Sequence, residues 1–385
     1  MEVGMMADFQ QFFRRAWLLG AACCGLAPAQ EFQITRLDPA GKLTFEGIPR
    51  AMEYRVEWSA APGRGDWQRE GLGITEVLAA GAGERTVNFS PRPAPCFYRV
   101  AAVLGPEGFV VVPAGTFQMG DAFSEAAANE RPVHAVEVSA FLLQARETTK
   151  AEWDEVYAWA LGHGYDFGSP GSGKAAQHPV HSVSWFDAVK WCNARSEMDG
   201  LAPCYFTDAS HAVVYRTGEF YLTNGQVLWT ADGYRLPTEA EWEKAARGGQ
   251  AGKRFPWVGN LINHSLANYR SVGFYSYELP SGGPSYHPLY ANGGIPYTAP
   301  VGSFAPNGYG LYDMAGNLWE WCWDLYGDYS PDPVSDPRGP SADADRIVRG
   351  GGWDFYAVSC RVAYRTRRFP SLRYTFLGFR TARRL

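Results

Sequence analysis

Three things are scarce in this 385-residue chain: surplus positive charge, histidine and long apolar runs. Lys and Arg total 35 against 40 Asp and Glu, a formal net charge of -5, so nothing in the overall charge calls for nucleic acid. The seven histidines show no metal-ligand spacing apart from His178 and His181, three residues apart, and there a structural role in a loop is the stronger reading. The longest apolar run, Ala16 to Leu26, is too short to span a bilayer, and no later segment replaces it. Disorder is excluded too, since apolar residues make up 46% and charged residues 19%. What the chain has in quantity is 14 Trp, 43 Gly and 26 Pro, a composition for irregular backbone pinned by large flat side chains.

The first 29 residues read as an export signal. Arg14 and Arg15 precede the apolar run, and Ala27-Pro28-Ala29 offers a small-x-small cleavage site before Gln30. The expected location is therefore secreted or periplasmic. Cys23 and Cys24 raise a lipid-anchored alternative, but Gly20 or Ala21 sits where a lipobox wants Leu. Cleavage after Ala29 leaves Cys96, Cys192, Cys204, Cys322 and Cys360, an odd number in a compartment that favours disulfides.

Residues 30–105 alternate as short strands and turns. Tyr54, Val56 and Trp58 alternate with Arg55 and Glu57, the period of a half-buried strand. Further strands are expected at Leu43–Phe45, Thr75–Leu78, Arg85–Phe89 and Phe97–Val100, with a turn over Ala60–Asp66. Tyr54-x-Val56-x-Trp58 and Phe97-Tyr98-Arg99-Val100 resemble a shortened fibronectin type III module, which implies a small all-β spacer. A turn-rich junction, Leu104 to Gly108, separates it from residues 106–385.

There, strands are expected at Val110–Val112 and His134–Val138. Three helices are marked by their caps: Lys150 to about Ala160 behind Thr148 or Thr149, Trp185 to about Glu197 behind Ser184, and a third opened by Thr238-Glu239-Ala240-Glu241 and stopped near Gly248-Gly249. Ser184 is thereby a helix cap before it is a nucleophile. Beyond Phe255 the helical signal disappears. The last stretch, Arg349 to Arg380, holds seven arginines and almost no acid, with Gly350-Gly351-Gly352 opening it. It suits either a reactive thiol at Cys360 or a binding surface.

Six motifs in order carry a wider resemblance: Pro113-x-Gly115-x-Phe117-x-Met119-Gly120, His178-Pro179-Val180-x-x-Val183-Ser184-Trp185, Arg235-Leu236-Pro237-Thr238-Glu239-Ala240-Glu241-Trp242-Glu243, Gly316-Asn317-Leu318-Trp319-Glu320-Trp321, Arg349-Gly350-Gly351 and Gly378-Phe379-Arg380. Together, over about Phe109 to Arg380, they resemble the formylglycine-generating enzyme, or sulfatase-modifying factor, family. The resemblance implies an α+β fold, a C-type-lectin-like domain rich in irregular coil. It also implies oxidation of a sulfatase cysteine by a copper ion held between two thiolates. The family pattern is Gly-Gly-Ser-aromatic-x-Cys with a second Cys five residues on. Here the second falls on Cys360, but the first falls on Phe355 and the serine on Gly352. Copper is accordingly not expected, and Cys360 is catalytic only if the chain is active despite Phe355.

The resemblance also implies calcium held by Asn317, Glu320 and the backbone of Gly316 and Leu318. The usual disulfide partners are absent: Cys192 would need a cysteine at Thr381, and a second bridge would need Ala246 and Arg365 to be cysteines. Bridges Cys192–Cys204 and Cys322–Cys360 are the expectation instead. Relatives in the wider lectin-like group are variable proteins, diversified by retroelements along this C-terminal segment. On that comparison the ligand-binding positions are Trp353, Asp354, Phe355, Tyr356, Ser359, Arg367, Arg368, Phe369, Tyr374 and Phe376, facing a protein or other extracytoplasmic ligand. The reading is a binding member of the fold; the alternative is a formylglycine-type oxidase.

Overall fold

The computed structural model describes residues 34–37, 42–47, 49, 51–59, 83–88 and 97–385, the last without 126–127, 280–284 and 343. The expected export signal, the Thr75–Leu78 strand, the Ala60–Asp66 turn and Cys96 lie outside the described residues. The chain forms two compact units, one drawn from the segments before Leu104 and the other comprising Leu104–Leu385 with Pro49–Met52.

The first unit holds β1 (Ile34–Leu37), β2 (Lys42–Gly47), β3 (Ala51–Ser59), β4 (Gly83–Asn88) and β5 (Phe97–Leu104). One sheet runs β1-β2-β4 and a second pairs β3 with β5. The period-2 pattern works as expected: Leu43 and Phe45 on β2 and Tyr54 and Val56 on β3 are buried. Phe45 meets Tyr54 edge-on at 5.0 Å.

The second unit is a mixed fold with few helices and much coil. Pro113 and Ala114 break the sequence after β6 (Phe109–Val112) and before β7 (Gly115–Met119). β8 (His134–Val138) and β9 (Phe141–Gln144) follow, then α1 (Lys150–Leu161), α2 (Trp185–Met198) and α3 (Glu239–Arg247). All three helices start with the reciprocal cap that their sequences promise, on Thr149–Glu152, Ser184–Asp187 and Thr238–Glu241. α3 ends on Gly248 at φ 55°, the left-handed position that glycine takes without strain. α1 and α2 pack through Trp153 and Trp191, parallel rings 6.1 Å apart.

The remaining strands are β10 (Trp319–Leu325), β11 (Val334–Ser335), β12 (Arg346–Arg349), β13 (Arg365–Arg368), β14 (Leu377–Gly378) and β15 (Ala382–Arg384). They complete sheets in the orders β13-β12-β10-β14, β11-β8-β7 and β15-β9-β6. The first of these carries the C-terminal segment. It antiparallel-pairs β12 with both β10 and β13, then brings β14 back parallel to β10.

α3 is unusual in having all nine residues buried, three glutamates among them. Each glutamate meets an arginine: Glu239 holds Arg365 and Glu243 holds Arg349 from the C-terminal segment, while Glu241 holds Arg235 and Glu243 also holds Arg247 nearby in the chain. Burying such charges is tolerable only because they are paired and hydrogen-bonded. The helix thus acts as an acidic spine on which the C-terminal strands are fastened.

Candidate functional site

The arginines that dominate the C-terminal segment divide into two groups. Arg349, Arg361, Arg365 and Arg380 are buried and ion-paired with Glu243, Glu130, Glu239 and Glu320. Arg367, Arg368 and Arg373 are partly exposed. The first group fixes the backbone. Around it, Gly350 and Gly351 adopt φ 97° and 79°, and a Cβ on Gly351 would sit 2.9 Å from the Ser359 carbonyl oxygen. Only glycine allows the loop to pass that close to the turn that carries Cys360.

Cys360 is fully buried at the end of a short 3-10 turn, Ala357–Cys360, in a cluster with Phe255, Ile262, Ala267 and Tyr269. Burial pushes its thiol well above the usual range, with the Glu278 carboxylate adding to the effect. Such a thiol is held protonated and is a poor nucleophile. Phe355 lies half-buried, edge-on to Trp319 at 5.3 Å and to Phe376 at 4.9 Å.

The expected disulfides are not formed: Cys192, Cys204, Cys322 and Cys360 are all buried free thiols. Cys322, on β10, packs in the cluster with Trp242, Ile347 and Val362, whereas Cys360 packs in another, which is why that pairing fails. Cys192 and Cys204 share one cluster, and burial first and Cys204 second raise the Cys192 thiol, yet both remain free. Thr381, at the position of the missing partner, donates instead to Gln144 Oε1 at 3.1 Å.

The side-chain oxygens of the expected calcium set are engaged within the protein. Both oxygens of Glu320 accept from Arg380, at 2.7 Å each, and Oε2 also accepts from Trp242 Nε1 at 2.8 Å. Asn317 Oδ1 accepts from the Ala299 amide at 2.8 Å and from Asn268 Nδ2 at 3.2 Å, while its Nδ2 donates to Glu147 at 2.5 Å. Side-chain oxygens already saturated by buried donors are not free for a cation. The Gly316 amide donates to the Gly350 carbonyl and the Leu318 amide to Glu147, contacts that hold the loop without involving the carbonyl oxygens expected as ligands. This segment works as a hydrogen-bonded knot.

Of the ten expected ligand-binding residues, five come together. Tyr374 stacks on Phe376 at 4.8 Å, Phe376 meets Phe355, and Asp354 and Tyr356 flank them in sequence. Tyr356, Phe369 and Tyr374 are 41%, 42% and 36% exposed, high values for rings of this size in a folded core segment. Trp353 and Ser359 are corrected to structural roles. Both are buried, and the Trp353 indole donates to the Thr375 carbonyl at 3.2 Å. Arg367 turns toward Tyr326 and Asp345, Arg368 donates to the Arg367 carbonyl, and Phe369 packs on Tyr221.

Two contributors were not visible in the sequence. Tyr286 donates to Asp354 Oδ1 at 2.8 Å, and Arg270 lies 3.8 Å from the same oxygen, with its guanidinium between the Tyr286 and Tyr356 rings. Burial and the Asp354 carboxylate raise the Tyr286 pKa. Both residues come from coil with no periodicity, about 70 to 85 residues upstream, so no local signal marks them. The assembled surface offers aromatic faces and a paired Arg and Asp.

The family described as sulfatase-modifying factor enzyme 1-like domain matches residues 100–385. The chain belongs to this family. A formylglycine-generating enzyme of Streptomyces coelicolor is 35% identical over 293 residues, which span 71% of this chain and 88% of that one. A chaperone protein LppX of Paenibacillus barcinonensis is 34% identical over 236 residues, spanning 60% and 75%. Among solved structures, Treponema denticola variable protein 1 superposes with a TM-score of 0.55 at 28% identity, covering 71% of this chain and 94% of its own. These sulfatase-modifying-factor relatives therefore include names for both an enzyme and a chaperone. No helix among the described residues is long and apolar enough to cross a membrane.

Proposed function

We propose that this chain is an exported, ligand-binding member of the sulfatase-modifying factor family, and that its C-terminal segment is the recognition surface. The observation that carries the reading is the state of Cys360: a buried thiol in an apolar cluster that contains no second cysteine. In the motif alignment, Phe355 stands where the first copper-binding cysteine would be. A phenyl ring has no lone pair for copper, so two-thiolate chemistry lacks a ligand. The exposed rings of Tyr356, Phe369 and Tyr374 then become the part of the segment left to act on a partner. The names of the LppX chaperone and the Treponema variable protein support binding as a use of this fold. Diversification of the segment would leave a near-repeat of its coding sequence beside a reverse transcriptase.

The leading unit fits a fibronectin-III-like spacer, supported by its two small sheets with Phe45 and Tyr54 in the interior. Oxidation of a sulfatase cysteine is the second reading, favoured by the Streptomyces coelicolor relative.

The test pairs two measurements. Incubation with Cu(I), oxygen and a cysteine-containing sulfatase peptide is expected to yield no formylglycine by mass spectrometry. On arrays of extracytoplasmic peptides and glycans, binding is expected and is lost in the Tyr356→Ala, Phe369→Ala, Tyr374→Ala triple variant. Turnover by the unaltered chain would overturn the binding reading, as would binding that ignores the triple variant.

A further inference from the structure

Seven arginines are buried among the described residues. Six of them, Arg235, Arg247, Arg349, Arg361, Arg365 and Arg380, have a carboxylate within hydrogen-bond distance. Arg346 does not. It is 2% exposed, yet its only hydrogen bonds run to backbone carbonyls, from Nη1 to Trp323 at 2.6 Å and from Nη2 to Leu222 at 2.7 Å. Its Nε is buried without any partner. The guanidinium is sandwiched against Trp185 at 3.8 Å and Trp323 at 4.8 Å. These contacts stabilise the cation but leave its charge uncancelled.

This arginine lines a cavity of about 190 Å³ together with Leu222, Asn224, Trp323, Arg338 and Ser341. No acid is among the described lining residues. Arg338 brings a second guanidinium, held over the Trp229 ring at 4.3 Å and within the electrostatic reach of Asp336 and Glu241. Arg368, opposite Arg346 in the β12–β13 register, adds a third cation to the same face of the sheet. The neighbouring acids do not neutralise the group. Asp324 is pushed up to about 8, by burial first and then by Glu239, so at neutral pH it is mostly protonated. Asp345 is engaged with Arg367. Burial lowers Arg346 itself to about 10, against the opposing pull of Asp324.

We propose that this cavity binds a small organic acid, its carboxylate between Arg338 and Arg346 and its apolar body against Trp323 and Leu222. A carboxylate there would meet the exposed Arg338 guanidinium beside the Arg346 side chain that lines the same cavity, and charge-assisted bonds to guanidinium are the strong kind. Size supports an organic body: a cavity of roughly 150 Å³ accommodates a benzene-sized ligand. The site lies apart from the Tyr356–Tyr374 surface in its residues, and stands whether or not that surface binds anything.

The probe is benzoate, titrated into the full chain by calorimetry and ligand-observed NMR, with benzamide as the neutral isostere and sulfate as the anion without an apolar body. Benzoate is expected to bind saturably below about 10 mM, with benzamide and sulfate each roughly tenfold weaker or worse. Arg338→Ala, at an exposed position, is expected to weaken benzoate roughly tenfold with thermal stability unchanged. Ser341→Phe, which fills the cavity, is expected to abolish binding, and Tyr356→Ala to leave it intact. The proposal falls if benzoate shows no saturation, if benzamide or sulfate matches it, or if both cavity variants bind benzoate normally.

Discussion

The Glu320–Arg380 pair offers the sharpest test of how the C-terminus is held. Both side chains are fully buried, and Arg380 spans β9, β10 and the preceding coil by donating also to the Gln144, Ala145 and Tyr312 carbonyls. Arg380→Met preserves much of the volume but strands the Glu320 carboxylate with Trp242 Nε1 as its remaining donor. Removing one partner of a buried pair costs about 3–5 kcal/mol. At roughly 2 °C per kcal/mol for a unit of this size, the melting temperature is expected to fall by about 6–10 °C. Adding Glu320→Gln removes the stranded charge and keeps an acceptor for Trp242, so the double variant is expected to melt above the single. Differential scanning calorimetry reads both, and calcium against a chelator is run in parallel. The reasoning is refuted if Arg380→Met costs under about 2 °C, or if the double variant is the less stable. It also fails if calcium stabilises the unaltered chain through Glu320.

Two further expectations follow from buried titrating groups. Asp324 accepts from the Glu239 amide at 2.7 Å, at the start of α3, and burial pushes its carboxyl up to about 8, far above the ordinary aspartate range. A carboxyl raised on folding binds more protons in the folded state, so its contribution to stability declines as pH rises from about 4 through about 8. Asp324→Asn keeps the acceptor and removes the titration; its melting temperature is expected to gain on the unaltered chain between pH 6 and 9, measured by thermal unfolding. Equal pH profiles would remove Asp324 as a cause. Separately, Cys192, Cys204, Cys322 and Cys360 are all raised by burial, so a thiol reagent at mildly alkaline pH is expected to label none of the four until the chain is unfolded. Rapid labelling of Cys360, located by peptide mapping, would restore it as a reactive group.

Local rules carried the sequence a long way. Thr149, Ser184 and Thr238 each announce a helix because a cap is a contact over three residues, and all three form. The alternation in β3 is equally local. The C-terminal segment misleads for the opposite reason. Its arginines look unpaired because their glutamates lie far away in sequence, Glu130 some 231 residues before Arg361 and Glu243 some 106 before Arg349. Trp353 and Ser359 fall among the recognition residues on sequence alone because neighbours in a loop look equivalent in a string of letters. In the structure Trp353 and Ser359 are buried, Ser359 within the 3-10 turn at Ala357–Cys360, while Tyr356 at its start stays exposed. Asn317 and Glu320 match a calcium motif by residue type, but their hydrogen-bond capacity is spent on Arg380, Trp242, Ala299 and Glu147, which no spacing rule displays.

The acidic face of α3 has one more consequence. Because Arg349 and Arg365 anchor on Glu243 and Glu239, and Arg380 anchors on Glu320, the segment's attachment points and its outward rings are different residues. Tyr356, Phe369 and Tyr374 take no part in those ion pairs. Fold and surface are therefore written in separate alphabets along one stretch of chain: the inner letters must stay fixed for the protein to assemble, while the outer ones are free to be rewritten without unmaking it.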